Sequence, residues 1–482
     1  MLKVEKHVRG IICGVFFIGM SIQIVLGVVW AAAGFTSLPV YPESGMYVEI
    51  SKTFICDEYT GILYPVLLML ARGLAGFLPI RYYSVMYIVQ LTVACYASHR
   101  FLRSCRVVCC ERGTSSVFWD IWCTLCLMTI PMAMQCHMAV LPNSLTLSFF
   151  MVMLSFVLEA SDAPAALQAR NLVKMAPLWL AASLLMPEYK YLAGVPIICL
   201  FVYSSIFLWK KDRRQIVRHM LVILAFMGMI AALGSMTQVP GSQGKMRKSL
   251  AGAMVSRFVW PNFQANYPAW PEEIRNIMTQ EDAAGISLYA DEVFKNFGPM
   301  VEEAVGEEHA RELYWEMVRA AGQVRLRQIA GDTLWDAACY AAPPWMLERQ
   351  LNGEGYESFA GRNYEIMTDR HPWLGVKYVR YGNRWFCAGA ALALVSLSGS
   401  FMGQRIRSKH GEKKTQHKSL RSQLSTMLFL AVTFASVVLY YTGTGAGIMD
   451  YKNSVFITIL WYAWMLREAT KRENRMLNPS VR

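Results

Sequence analysis

The first residues that could do chemistry are the acids Glu43, Glu49, Asp57 and Glu58, in the stretch VYPESGMYVEISKTFICDEYTGILYP from Val40 to Pro65. An ionised carboxylate can take a proton from a hydroxyl or hold a divalent cation. Pro42 suits the first turn of a helix, which puts Glu43 near a helix N-terminus, where the dipole favours its charged form. Acids are common in first turns for the same reason, so from the residues alone a plain surface cap is the simpler account of Glu43. Asp57 and Glu58 are next in line, as a cation ligand or an alternative base.

These acids need elements to hold them. Met46, Tyr47, Ile50 and Phe54 recur at helical spacing, while Glu49 and Lys52 form an i,i+3 pair. Residues 42–55 are therefore expected to form a short amphipathic helix lying at a membrane interface. The next apolar segment, 61–79, contains Arg72, Gly73, Gly76, Pro65 and Pro79. It makes a poor span and is expected to lie on, or re-enter, the outer leaflet.

The rest of the chain sets that membrane frame. Of 482 residues, 55% are hydrophobic and the mean hydropathy is +0.29. The apolar residues come in runs of the length that crosses a bilayer, roughly 20 residues. Expected spans are 11–34, 82–101, 115–135, 143–160, 174–187, 191–209, 216–236, 384–403, 424–441 and 453–466. The first follows a basic head (Lys3, Lys6, Arg9) and is taken as a retained span, being long for a signal-peptide core.

Charge orients these spans. Residues 236–382 hold 19 acidic and 15 basic residues, so the remainder carries +17 of the total +13. Of the 47 Lys and Arg, 26 fall in clusters on one side of the expected topology, which is the positive-inside pattern. A nucleic-acid partner is not indicated, since that would gather the charge on a folded domain. The expected fold class is an all-α polytopic membrane protein. It has about ten transmembrane helices, an interfacial or re-entrant helix and one mostly helical external domain.

The domains follow as a membrane module over 1–236 with an acidic outer loop at 35–60, an external domain over 237–383, and a second membrane module over 384–482. Both termini are placed in the cytoplasm and 237–383 outside the plasma membrane. Within the external domain, Trp270-Pro271-Glu272-Glu273 marks a helix start, and 307–330 is predicted helical with Gly331 as its stop. Cys123 and Cys126 form a CxxC near Cys136 and His137, but lack the second ligand pair that zinc would need. Neither GxxxxGK[ST] nor a strand-borne GxGxxG occurs, so no nucleotide cofactor is expected.

In its order of parts the chain resembles the GT-C class of membrane glycosyltransferases, which includes the protein O-mannosyltransferases and the aminoarabinose transferase of lipid A. The resemblance rests on Glu43-Ser44-Gly45-Met46-Tyr47 after the first span, Tyr64-Pro65 opening the 61–79 helix, and Pro131 with Leu141-Pro142-Asn143 in the next hairpin. It departs from the class in having Glu at position 43 and Asn at position 143, where acids of the form Asp are usual. The resemblance implies transfer of a sugar from a polyprenyl-phosphate donor to a glycan, lipid or protein acceptor at the outer face. Glu43 would be general base, with Asp57 or Glu58 behind it. Glu43 and Asp57 would hold any divalent cation, Mg or Mn. Lys190, Arg81, Tyr47, Tyr64 and Asn143 would meet the lipid phosphate or substrate, although interfacial snorkelling explains Lys190 equally. Two other functions fit the same frame: a polymerase or ligase acting on lipid-linked glycans, and a lipid or solute transporter. A glycosyltransferase-like scaffold without activity is a further alternative.

Overall fold

The computed structural model describes residues 2–35, 42–53, 61–77, 79–108, 117–162, 165–186, 249–260, 263–286 and 293–341, with isolated positions at 217–232, 246 and 377–385. The expected spans at 191–209, 424–441 and 453–466, and most of 384–403, lie outside this set. Among the described residues every element is helical and there is no strand, as an all-α chain requires. Among them, too, no helix is long and apolar enough to cross a membrane. The apolar run 11–34 extends past the described side chains of its helix at both ends.

The chain divides into two compact units. The first holds the described residues from 2 to 232 and from 377 to 385. It begins with α1, Leu2–Phe35, followed by the short α2, Pro42–Thr53, and α3, Leu63–Ala75. Then come α4, Tyr82–Val108, α5, Val117–Met128, α6, Pro131–Met138, α7, Asn143–Asp162, and α8, Ala165–Leu185. Helix α4 packs against α7, and α7 against α8, while α3 lies on α4 and α2 on α3.

Two features bring these helices close. Gly61 stands against the backbone carbonyls of Leu184 and Leu185, where any side chain would collide with α8. On α1, Phe17 stacks on Trp122 of α5 at 5.0 Å, and the Trp122 indole donates to Ser21 Oγ at 3.1 Å. The expected span 115–135 is not one helix. It breaks at Thr129 and Ile130, because Pro131 has no N–H to continue the ladder and opens α6 instead. The Thr129 carbonyl left at the break accepts from Gln23 Nε2 of α1 at 3.1 Å and from the Tyr378 hydroxyl.

The other end of α4 carries an ion pair. Arg100 meets Glu159 of α7 through two contacts of 2.7 Å, one to each carboxylate oxygen, and Ser104 Oγ donates to Glu159 at 2.7 Å. Arg100 and Lys174 of α8 both sit over the Phe156 ring, at 5.3 and 5.7 Å. This ties α4, α7 and α8 at one level.

The second unit contains the described residues 246–341. It comprises α9, Leu250–Met254, continuing as a π-helical turn Val255–Val259; α10, Phe263–Asn266; α11, Glu272–Ile277; and α12, Gln280–Gly285. A second π-helical turn, Val293–Phe297, leads into α13, Gly298–Val305, and α14 runs from Glu307 to Ala341. Its core is aromatic: Trp260, Trp270, Phe263, Phe297 and Tyr314 are buried together, with Trp260 and Phe297 4.9 Å apart. Thr279 and Asp282 cap α12 reciprocally, and the bonds from the Thr279 side chain and backbone hold the Asp282 carboxyl below its usual range.

Of two local expectations one holds and one changes here. Pro271 is the N-cap of α11, with Glu272 and Glu273 in its first turn as expected. Helix α14, however, runs ten residues past the predicted stop at Gly331. A lone glycine in a helix costs only about 1 kcal/mol, and no second breaker follows until Pro343-Pro344. Gly306, at φ +80°, is where the chain does need a glycine: it ends α13 and its carbonyl accepts the first bond of α14 from Ala310.

Candidate functional site

Described candidate residues of the first unit gather at one end of the bundle. Tyr47, Tyr64, Leu68, Val85, Ala139, Val140, Leu141, Leu145 and Leu185 share one apolar cluster. It therefore joins α2, α3, the start of α4, the 139–142 turn, the start of α7 and the end of α8.

Helix α2 starts at Pro42, as the sequence suggested, and puts Glu43 at its second position. The Glu43 side chain is not among those described; by register the residue stands one turn before Tyr47 and two before Ile50. The face of α2 that packs differs from the expected one. Ser44, Tyr47, Ile50 and Ser51 are buried, whereas Met46 is 39% exposed. Small serines let α2 approach α3 more closely than Met46 would, and Ser51 turns its hydroxyl to the Val48 carbonyl at 2.6 Å. Glu49 and Lys52 pair at 2.9 Å on the outer side, the i,i+3 arrangement read from their spacing.

Tyr47 meets Tyr64 edge to face, with ring centroids 5.3 Å apart. Tyr64 is fully buried, and its hydroxyl donates to Gln90 Oε1 of α4 at 2.9 Å. Burial, with Tyr47 as the smaller cause, pushes the Tyr64 phenol well up, so it remains a donor at any ordinary pH. Gln90 Nε2 in turn donates to the carbonyls of His137 and Ala139, at 3.0 and 2.9 Å. His137, in the last turn of α6, holds Ser144 Oγ of α7 at 2.9 Å from its Nδ1. Burial lowers its pKa to about 4, so the ring is neutral. This chain of bonds ties the 139–142 turn to α3 and α4.

Asn143 is buried at the first position of α7, between Leu141 and Leu145 of the cluster. Arg81 is exposed, and its carbonyl accepts the first bonds of α4 from Ser84 and Val85. Asp57, Glu58 and Lys190 lie outside the described residues. So Tyr47, Tyr64 and Asn143 are brought to one place, with Arg81 at the neighbouring helix start.

Sequence reasoning passed over Arg72, which it used only to argue that 61–79 is a poor span. Arg72 is half-buried in the last turn of α3 and donates through Nη2 to Ser51 Oγ at 3.0 Å. Its guanidinium lies over the Tyr82 ring at 5.0 Å. The signal was there: an arginine in an amphipathic segment has to stand at the edge of the face that packs. Gln90 was legible in the same way, as a polar residue inside an apolar run that must find partners.

Among the described residues no group of three His, Cys, Asp or Glu is placed to hold a metal ion. Cys123, Cys126 and Cys136 are buried in the helical core. No protein-family model, curated protein or solved structure matches the chain.

Proposed function

We propose that the protein is a polytopic membrane glycosyltransferase that moves a sugar from a polyprenyl-phosphate donor to an acceptor hydroxyl at the outer face of the plasma membrane. The observation that carries this is the seating of α2. The helix that bears Glu43 is fixed on the surface helix α3 by Tyr47 against Tyr64 and Ser51 against Arg72. An acid meant to act as a base has to be held in place, and this one is carried on a packed helix rather than a free loop.

Membrane insertion is supported by length and composition. Helix α1, with 34 residues, is about 51 Å long, against a hydrocarbon core of about 30 Å. Residues 11–34 within it contain no Asp, Glu, Lys or Arg. The same is true of α4 between Arg81 and Arg100, an interval of about 28 Å. Along α1, Val15, Ile18, Ile22, Val25 and Val29 are all exposed, a stripe suited to acyl chains rather than water.

In this reading Glu43, ionised at the N-terminus of α2, takes the proton of the acceptor hydroxyl as its oxygen attacks the sugar carbon. The bond from that carbon to the phosphate oxygen breaks, and the sugar inverts. Asp57 or Glu58 stands as second base. Lys190 and Arg81 face the charge that builds on the departing lipid phosphate. Glu43 and Asp57 are hard oxygen donors of the kind Mg or Mn accepts, and a cation held there would screen phosphate charge. The external segment would shape the acceptor site. The test is Glu43→Gln, assayed for transfer from a polyprenyl-linked sugar in membranes. A fall of about a hundredfold or more is expected for loss of a general base. Unchanged transfer would remove Glu43 from the mechanism and bring Asp57 forward.

A further inference from the structure

We infer that Arg72 is the core of a binding site for the phosphate head of a membrane lipid, built by three helices. Arg72 comes from α3, the Ser51 hydroxyl that orients it from α2, and the Tyr82 ring beneath it from α4. Tyr82 is itself backed by Tyr83, with ring centroids 3.9 Å apart. Stacking and one hydrogen bond fix the plane of the guanidinium but neutralise none of its charge. Only one of its five N–H groups is used this way. Among the described residues no carboxylate pairs with Arg72, whereas Lys52 has Glu49 and Arg100 has Glu159.

A half-buried, pre-oriented arginine with no counter-ion among the described residues is matched by a phosphate, whose oxygens fit the planar fork in pairs. The surface beside it says that the phosphate belongs to a lipid. On the same helix Met69, Leu70 and Leu74 are exposed, and Phe77, just beyond its end, is 89% exposed. Arg72 stands at the edge of that apolar face, so a ligand reaching both must join an anionic head to a hydrocarbon chain. The site deepens the function proposed above and rests on it for the choice of a polyprenyl phosphate over a bulk phospholipid.

The test is direct binding to the full-length protein in nanodiscs of neutral lipid. The probes are a polyprenyl monophosphate, phosphatidylglycerol and inorganic phosphate. Tight binding of the polyprenyl monophosphate is expected, weakened about tenfold or more by Arg72→Ala and nearly as much by Arg72→Lys, which keeps the charge but not the fork. Ser51→Ala should weaken it by a smaller factor. Arg72→Lys also serves if the alanine variant does not fold. Binding unchanged by both Arg72 variants overturns the site. Equal dependence on Arg72 for phosphatidylglycerol, or equal affinity for inorganic phosphate, overturns the choice of ligand. If the double variant Asp57→Asn, Glu58→Gln binds more tightly, an acid of the chain already occupies Arg72, and the inference fails. Glu43→Gln separates the two claims: it should cut transfer about a hundredfold or more, while the binding of polyprenyl phosphate that remains still depends on Arg72. Transfer surviving in Glu43→Gln would sink the proposed mechanism while leaving the Arg72 site standing.

Discussion

Replacing Gln90 by leucine tests whether the end of the bundle around Tyr64 is held by polar bonds or by packing alone. Gln90 is 1% exposed and makes three hydrogen bonds, with Tyr64, His137 and Ala139. Leucine fills much of the same space but leaves one hydroxyl and two carbonyls without this partner. At about 1 kcal/mol net per bond the loss is about 3 kcal/mol. At the smaller average found between membrane helices, about 0.6 kcal/mol, it is about 2 kcal/mol. Tyr64→Phe removes a single bond and should cost about 1 kcal/mol. In the Gln90→Leu background that same change should cost almost nothing, because the hydroxyl is then already orphaned. Equilibrium unfolding in mixed micelles, followed by circular dichroism across this double-mutant cycle, gives all the terms. A Gln90→Leu protein within about 0.5 kcal/mol of the parent, or strictly additive Tyr64 and Gln90 effects, would refute the reasoning. It would mean that the apolar cluster alone seats α3.

Three further outcomes are expected. Glu159→Gln should destabilise by about 2 kcal/mol in the same unfolding assay. That is less than for a fully buried pair, because Arg100 and Glu159 keep 25% and 21% exposure. Gly61→Ala should cost about 1–3 kcal/mol, since its methyl group meets the Leu184 and Leu185 carbonyls, and a thermal melt equal to the parent's would contradict that contact. In the second unit, His309 bonds Glu273 at 2.8 Å and Glu312 at 3.3 Å, and these bonds raise its pKa above the ordinary 6.5. Its contribution to stability is then fully present below about pH 6.5 and is lost as pH rises through the higher folded-state value. Unfolding monitored by tryptophan fluorescence should show that decline, and His309→Gln should flatten it.

Much of the helical outline was legible because hydrophobic period and breakers act locally. Pro42 starts α2, the 61–79 segment yields α3 at Leu63–Ala75, and Asn143 opens α7. The errors came where a local rule met a tertiary alternative. Gly331 did not stop α14, and Pro131 divided a run that hydropathy alone joined. On α2 the packed face was misjudged by favouring greasy residues over small ones: Ser44 and Ser51 are buried while Met46 is exposed. The polar partnerships were out of reach for a different reason. That Gln90 needs partners follows from its type. That they are Tyr64, 26 positions away, and the backbone near 137–139 depends on how the helices cross. Arg72 belongs to the same category, since Ser51 and Tyr82 flank it only once α2, α3 and α4 are assembled.

The break at Thr129 also imposes a schedule. One of its two bonds comes from Gln23, made before α5 leaves the ribosome; the other comes from Tyr378, which is synthesised 249 residues later. At about 5–20 residues per second, that interval lasts on the order of 12 to 50 seconds. Throughout it the Thr129 carbonyl of the nascent amino-terminal bundle has its bond from Gln23 but not yet the one from Tyr378. The interior of the amino-terminal bundle is thus completed by a residue from the far end of the sequence, and a product truncated before Tyr378 would lack this second bond.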